Sequence, residues 1–253
     1  MVSEEEGRQL LLAGYSDQFV QMANDCSTWL FWHRPVGTSQ HLIVDSGSVF
    51  FVEAGAGLFG VTASHVIQGI RCARQRYKGL NVRMGNISFD PAAHLLGDDP
   101  VHDVATFRID EGDLASLGKR PHVDPCPWPP PLPQENKGVF FGGYRRGPDS
   151  KLISPHAPIP WDFWYGFGPV TGVFDGQLTM RFQREDWVSR PGRLEVPVGA
   201  EWGGTSGGPM FALFETAIVY FRLGGVVKEY SSTVELMAFA PVTRICINGT
   251  VAT

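Results

Sequence analysis

An all-β chain of sandwich or barrel type is predicted by three observations. From residue 41 onward the sequence is a succession of short runs rich in β-branched and aromatic residues, separated by turn residues. These runs fall into two groups on either side of a proline-rich segment, and the clearest helical periodicity lies near the N-terminus. At 253 residues, 43% of them apolar, the chain is long enough for one large β domain or two small lobes and can fill a core.

The helical stretch comes first. Leu10, Leu11, Tyr15, Phe19, Val20 and Met22 recur at three- and four-residue spacing, which predicts a helix from near Glu4 to before Asp25. Its apolar stripe serves either packing against the domain behind it or docking of a regulatory partner. From His41, a run to Val52, a turn at Ala54-Gly55-Ala56-Gly57 and a second run from Leu58 to Thr62 predict a β-hairpin. Arg71 to Lys78 is a short basic cluster read as a solvated loop or strand face, and Asp98, Asp99 and Asp113 are read as loop acids. Pro121 to Pro133 holds seven prolines in thirteen residues and cannot join a central strand, so it is expected to link two halves. Beyond it, runs at Gly138–Tyr144, Gly172–Phe174, Gln177–Phe182, Pro209–Phe214, Ala217–Phe221, Gly225–Tyr230 and Glu235–Ala240 repeat the strand pattern. The aromatic patch Trp161, Phe163, Trp164, Tyr165 and Phe167 suits a substrate groove or buried hairpin packing.

Composition narrows the function classes. A net charge of −5 argues against general nucleic-acid affinity. No apolar run reaches the roughly 18 residues of a membrane span, and the start Met1-Val2-Ser3-Glu4-Glu5-Glu6 is opposite in charge to a secretory leader. A cytoplasmic location is therefore expected. Cys26, Cys72, Cys126 and Cys246 lie far apart with no Cys-x-x-Cys pair, so they are expected to be reduced thiols rather than a zinc site or disulfide framework.

The chemistry concentrates at Gly203-Gly204-Thr205-Ser206-Gly207-Gly208-Pro209. Four glycines around one serine do not pack a core; they form a tight turn that can present a hydroxyl while the N–H groups of Gly204 and Ser206 point at one spot. A flexible loop with an incidental serine is the plainer reading of those seven residues alone. A serine hydroxyl needs a base to take its proton and an acid to orient that base. The chain supplies His65 where an apolar strand runs out and Asp103 at the mouth of the run Val104 to Ile109. Taken singly, the first reads as a structural histidine and the second as a turn aspartate; together with Ser206 they make a His, Asp, Ser order.

The segments Val61-Thr62-Ala63-Ser64-His65-Val66, His102-Asp103-Val104-Ala105 and Gly204-Thr205-Ser206-Gly207-Gly208-Pro209 resemble the three signature segments of trypsin-like (chymotrypsin-fold, HtrA-related) serine peptidases. The likeness extends over roughly residues 42–247, with Gly47 to Phe51, Val139 to Tyr144 and Leu223 to Tyr230 resembling further family strands. It implies two six-stranded antiparallel β-barrels with an N-terminal helical extension. The expected division is 1–40 for the extension, 41–120 for the first barrel, 121–133 for the linker and 134–253 for the second barrel. It implies His65 as general base and then acid, Asp103 as its orienter, Ser206 as nucleophile and the Gly204 and Ser206 N–H groups as oxyanion hole. Lys228, Glu229 and Tyr230 would edge the groove and pair with an extended substrate as an added strand. Ala200 would fall at the floor of the primary pocket with Glu201 next to it, and Met237 to Phe239 near the far wall. A small or apolar residue before the cut is expected, or a basic one if Glu201 turns inward. No metal or organic cofactor is implied, and the partner would be a protein or peptide substrate.

Departures from the family pattern accompany the likeness. Secreted members carry a cysteine after the histidine and an aspartate before the serine; this chain has Val66 and Thr205. The activation switch that uses that aspartate is not expected here. No PDZ domain is expected after Thr253, and the peptide-activated behaviour of HtrA proteins is not carried over. The alternative function is a catalytically silent barrel used as a protein-binding module. An α/β-hydrolase esterase is disfavoured, because that class places its nucleophile before the acid and histidine.

Overall fold

The structure is a computed structural model, and it describes residues 9, 13–14, 16–36, 40–55, 57–124, 127–146, 152–153, 160–174, 176–183, 202–215 and 219–252. Helix α1 (Asp17–Asp25) is followed by β1 (Ser27–Val36), β2 (Gln40–Ala54), β3 (Gly57–Thr62) and helix α2 (Ser64–Arg76). Next come β4 (Asn81–Met84), β5 (Ile87–Ser88), β6 (Leu95–Asp99), β7 (Val104–Arg108), helix α3 (Glu111–Leu117) and β8 (His122–Val123). The second half holds β9 (Gly138–Arg146), β10 (Leu152–Ile153), β11 (Trp161–Phe174), β12 (Gln177–Arg181), β13 (Pro209–Glu215), β14 (Val219–Ser231) and β15 (Leu236–Pro241).

The strands form two units, the arrangement of a chymotrypsin-like two-domain β fold. The second is a closed six-stranded barrel in the order β11-β12-β15-β14-β13-β9. The first is a nine-stranded sheet in the order β5-β4-β1-β2-β3-β7-β6, with β8 and β10 also pairing to β2, and not the expected six strands. The difference begins at β1, which the sequence placed inside a helical extension ending at residue 40. Leu30 and Trp32 bury on one face of β1 against the first core, while Trp29 and Phe31 meet Trp161 of β11 on the other. A strand buried on both faces shows no polar alternation, so its period of two is invisible in sequence.

Other expectations differ in a similar way. Arg71 to Arg76 form the second half of α2, whose Val66, Ile67, Ile70 and Ala73 bury at helical spacing. Asp98 and Asp99 end β6, and Asp113 lies in α3 under the cap of Asp110. The proline segment is held against the second barrel. The Asp124 carboxylate pairs with Arg222 at 2.9 Å, with both side chains buried, and the Trp128 indole N–H donates to the Ile245 carbonyl at 2.7 Å. The aromatic patch is mostly packing: Phe163 meets Tyr144 edge-on and Phe167 meets Phe140.

Three cores result. One fills the first unit beneath α2, one fills the second barrel, and a third joins them through Phe50, Val52, Phe59 and Val61 on one side and Phe140, Phe211, Leu223 and Val226 on the other. Helix α1 delivers Val20 and Ala23 to this shared core, with the Phe19 ring 4.2 Å from that of Phe221 and tilted 50° to it. The described part of the apolar helical stripe is thus spent within the chain. Cys26, Cys72 and Cys246 are free thiols, and burial pushes Cys26 up to about 12. No helix among the described residues is long and apolar enough to cross a membrane.

Candidate active site

His65 is the second residue of α2, directly beyond the end of β3. The helix has no side-chain cap from its own N-cap residue, Ala63. Asp103 supplies the missing acceptor, taking the His65 backbone N–H on Oδ1 at 2.8 Å. The same carboxylate takes the imidazole Nδ1 on Oδ2 at 2.9 Å. One aspartate therefore fixes both the helix start and the ring. Asp103 does this from a left-handed backbone conformation, φ 61°, that non-glycine residues seldom adopt. The loop before it is fixed by Asp99, whose Oδ1 accepts the N–H groups of Val101 and His102 and whose Oδ2 meets His102 Nδ1 at 2.5 Å.

The hydrogen bond that the imidazole donates to Asp103 raises its pKa above the ordinary value, against the lowering effect of burial, and the charges of Asp103, Glu229 and Asp45 add to the rise. The His65 side chain keeps about half its surface open, and among the described residues its Nε2 makes no hydrogen bond.

Ser206 comes from the second barrel, in the turn before β13. Its Oγ donates to the Lys228 carbonyl at 2.7 Å, and no hydrogen bond joins it to His65. Among the described residues the backbone N–H groups of Gly204 and Ser206 have no acceptor, whereas those of Thr205, Gly207 and Gly208 are bonded to Trp202, Val227 and Thr205. Gly207 has to be glycine. Its φ is 88°, and an added Cβ would stand 2.2 Å from the Ser48 carbonyl oxygen and 2.3 Å from Thr62 Oγ1.

Lys228, Glu229 and Tyr230 lie on β14 beside this turn. Pairing with β13 reaches only Val226; Glu229 and Tyr230 ladder to β15 alone, and Lys228 stands at the register shift between Val227 and Glu229 with no ladder partner on either strand. The Lys228 ammonium reaches Gln177 Oε1 at 3.2 Å, Glu229 is exposed, and the Tyr230 ring packs near Phe182 and Trp202. Ala200 and Glu201 lie outside the described residues. Met237 and Phe239 are fully buried in the second core. Among the described residues no group of three or more His, Cys, Asp or Glu is placed to hold a metal ion.

Sequence reasoning missed Ser48 and Thr62. Ser48 joins the serine turn to both units, and Thr62 Oγ1 donates to the Ser48 carbonyl at 2.8 Å. The only trace in sequence is a run of small residues, Ser46-Gly47-Ser48, where a strand would ordinarily carry bulk.

No protein-family model matches the sequence, and no curated protein matches it. Solved structures do resemble it. One comes from a study of coupled folding and binding of the intrinsically disordered Sesbania mosaic virus VPg, at 13% identity and TM-score 0.43, covering 85% of each chain. A catalytically inactive tobacco etch virus protease complexed with substrate matches at 11% identity and TM-score 0.43, over 85% of this chain and 77% of that one. The thermostable serine protease AL20 from an extremophilic microorganism matches at 13% identity and TM-score 0.46, over 87% and 93%.

Proposed function

We propose that the chain is a serine endopeptidase that hydrolyses peptide bonds of a partner protein through an acyl-enzyme. The observation that carries the reading is the double hold of Asp103 on His65, which fixes the ring by Nδ1 and leaves Nε2 open to act as a base. An extended peptide adding to the open edge of β14 would bring a main-chain N–H to the Lys228 carbonyl and compete with the Ser206 hydroxyl for it. The released hydroxyl turns to His65 Nε2, which takes its proton as Oγ attacks the substrate carbonyl carbon. The negative oxygen of the tetrahedral intermediate accepts hydrogen bonds from the Gly204 and Ser206 N–H groups. The imidazolium then protonates the leaving amine as the peptide C–N bond breaks. Water, activated by the same imidazole, hydrolyses the acyl-Ser206 ester. The residues call for no metal or organic cofactor in this sequence of steps, and a cytoplasmic setting suits the reduced thiols.

The Ser206 to Lys228 hydrogen bond favours a second reading, a silent barrel that binds protein without cutting it. Turnover of a peptide library separates the two. Under the peptidase reading His65→Ala and Ser206→Ala each lose on the order of 10⁴- to 10⁶-fold in kcat, and the double variant loses little more, because the residues act as a unit. Equal turnover in parent and variants would leave the binding module.

A further inference from the structure

Four hydrogen bonds meet on Ser48, a fully buried residue in the middle of β2. Its N–H donates to the Ser206 carbonyl at 2.8 Å, and its Oγ donates to the Gly204 carbonyl at 2.8 Å. The same Oγ accepts the Tyr144 N–H of β9 at 2.7 Å, and the Ser48 carbonyl accepts Thr62 Oγ1 at 2.8 Å. One residue of the first unit thereby grips the serine turn at two carbonyls and ties it to a strand of the second barrel.

The two carbonyls bracket the peptide that carries the Ser206 N–H. The direction of an N–H is set by the backbone torsions around it, and Gly204, at φ 96° with no side chain of its own, does little to set them. An outside partner has to. The tight approach of Gly143 to the turn, where an added Cβ would sit 2.6 Å from the Thr205 carbonyl oxygen and 3.0 Å from Ser48 Oγ, leaves the turn no room to adopt another path on that side.

We propose that Ser48 is a positioning residue whose hydroxyl, through the Gly204 carbonyl, aims the Gly204 and Ser206 N–H groups at the developing oxyanion. This rests on the peptidase reading above. Ser48 touches neither substrate nor the reacting atoms, and its effect is felt where charge develops on the substrate oxygen and hardly at all in ground-state binding.

The test is Ser48→Ala, with thermal melting as a check of folding, kcat and KM measured on a cleaved peptide, and affinity for a peptide aldehyde that forms a tetrahedral adduct on serine. The expected result is a kcat lower by about 10²-fold, the scale of losing an oxyanion donor, with KM within about twofold and aldehyde affinity reduced in step with kcat. A kcat within about twofold of the parent, or a loss confined to KM with aldehyde affinity unchanged, would overturn the proposal. Should Ser48→Ala not fold, Ser48→Cys keeps the side-chain shape while weakening both hydrogen bonds and is judged by the same criteria. A parent that neither cuts peptide nor binds aldehyde removes the peptidase reading and this one with it. An active parent with an indifferent variant removes only the role of Ser48.

Discussion

At the scale of single residues, Asp103 holds both a helix start and an imidazole, so in the proposed mechanism it does two jobs that are usually divided between two groups, capping a helix and orienting a base. The consequence is a pH dependence with a definite sign. The proposed catalysis needs the neutral imidazole, and Asp103 holds the His65 pKa above its ordinary value, so activity is expected to rise with pH along a limb above that value. The pair itself stabilises the fold fully below the unfolded pKa, and that contribution is lost as pH rises through the folded pKa. Asp103→Asn is expected to lower kcat on the order of 10⁴-fold and to shift the limb to lower pH, read from a pH–rate profile. A limb that stays in place would mean that Asp103 does not set the His65 pKa. His65, Asp103 and Ser206 stood out in sequence as candidates because each ends a strand pattern or interrupts one with turn residues. Ser48 could not, since the partners of its hydroxyl are main-chain groups more than ninety residues away and main-chain partners leave no side-chain pattern.

At the scale of elements, the serine turn is a close-packed junction. Gly207 is pressed against Ser48 and Thr62 in a conformation with positive φ, so Gly207→Ala combines backbone strain with a clash against main-chain atoms. The variant is expected to lose about 2 kcal/mol or more of stability, seen in denaturant unfolding, together with most turnover. A variant of parental stability and rate would show that the turn yields where the packing says it cannot. The four glycines announced a turn in sequence, but which of them meets a neighbour depends on strands from the other unit. The hairpin of β2 and β3 was readable because strand and turn residues alternate plainly there. Helix α2 was not, because its apolar positions follow directly on an apolar strand and its last turns are basic. Strand β1 was concealed by burial on both faces.

At the scale of the whole molecule, the proposed site is divided between two units that share a core. His65 and Asp103 belong to the first sheet and its helix, Ser206 and Lys228 to the closed barrel, and Phe50, Phe140 and Phe211 fill the space that joins them. Two β lobes with the site at their junction could be anticipated from paired groups of strand patterns around a proline segment. The strand count of the first unit could not, because short strands such as β5, β8 and β10 are set by pairing partners distant in sequence. Because the proposed nucleophile and base come from different units, their cooperation would measure the assembled molecule as well as its chemistry. The most direct measurement is labelling of the intact chain with a fluorophosphonate, followed by mass-spectrometric mapping of the adduct in the parent and in His65→Ala. The account predicts one adduct, on Ser206, formed by the parent and nearly abolished without His65. No adduct on Ser206, or one that forms equally well in His65→Ala, would contradict it.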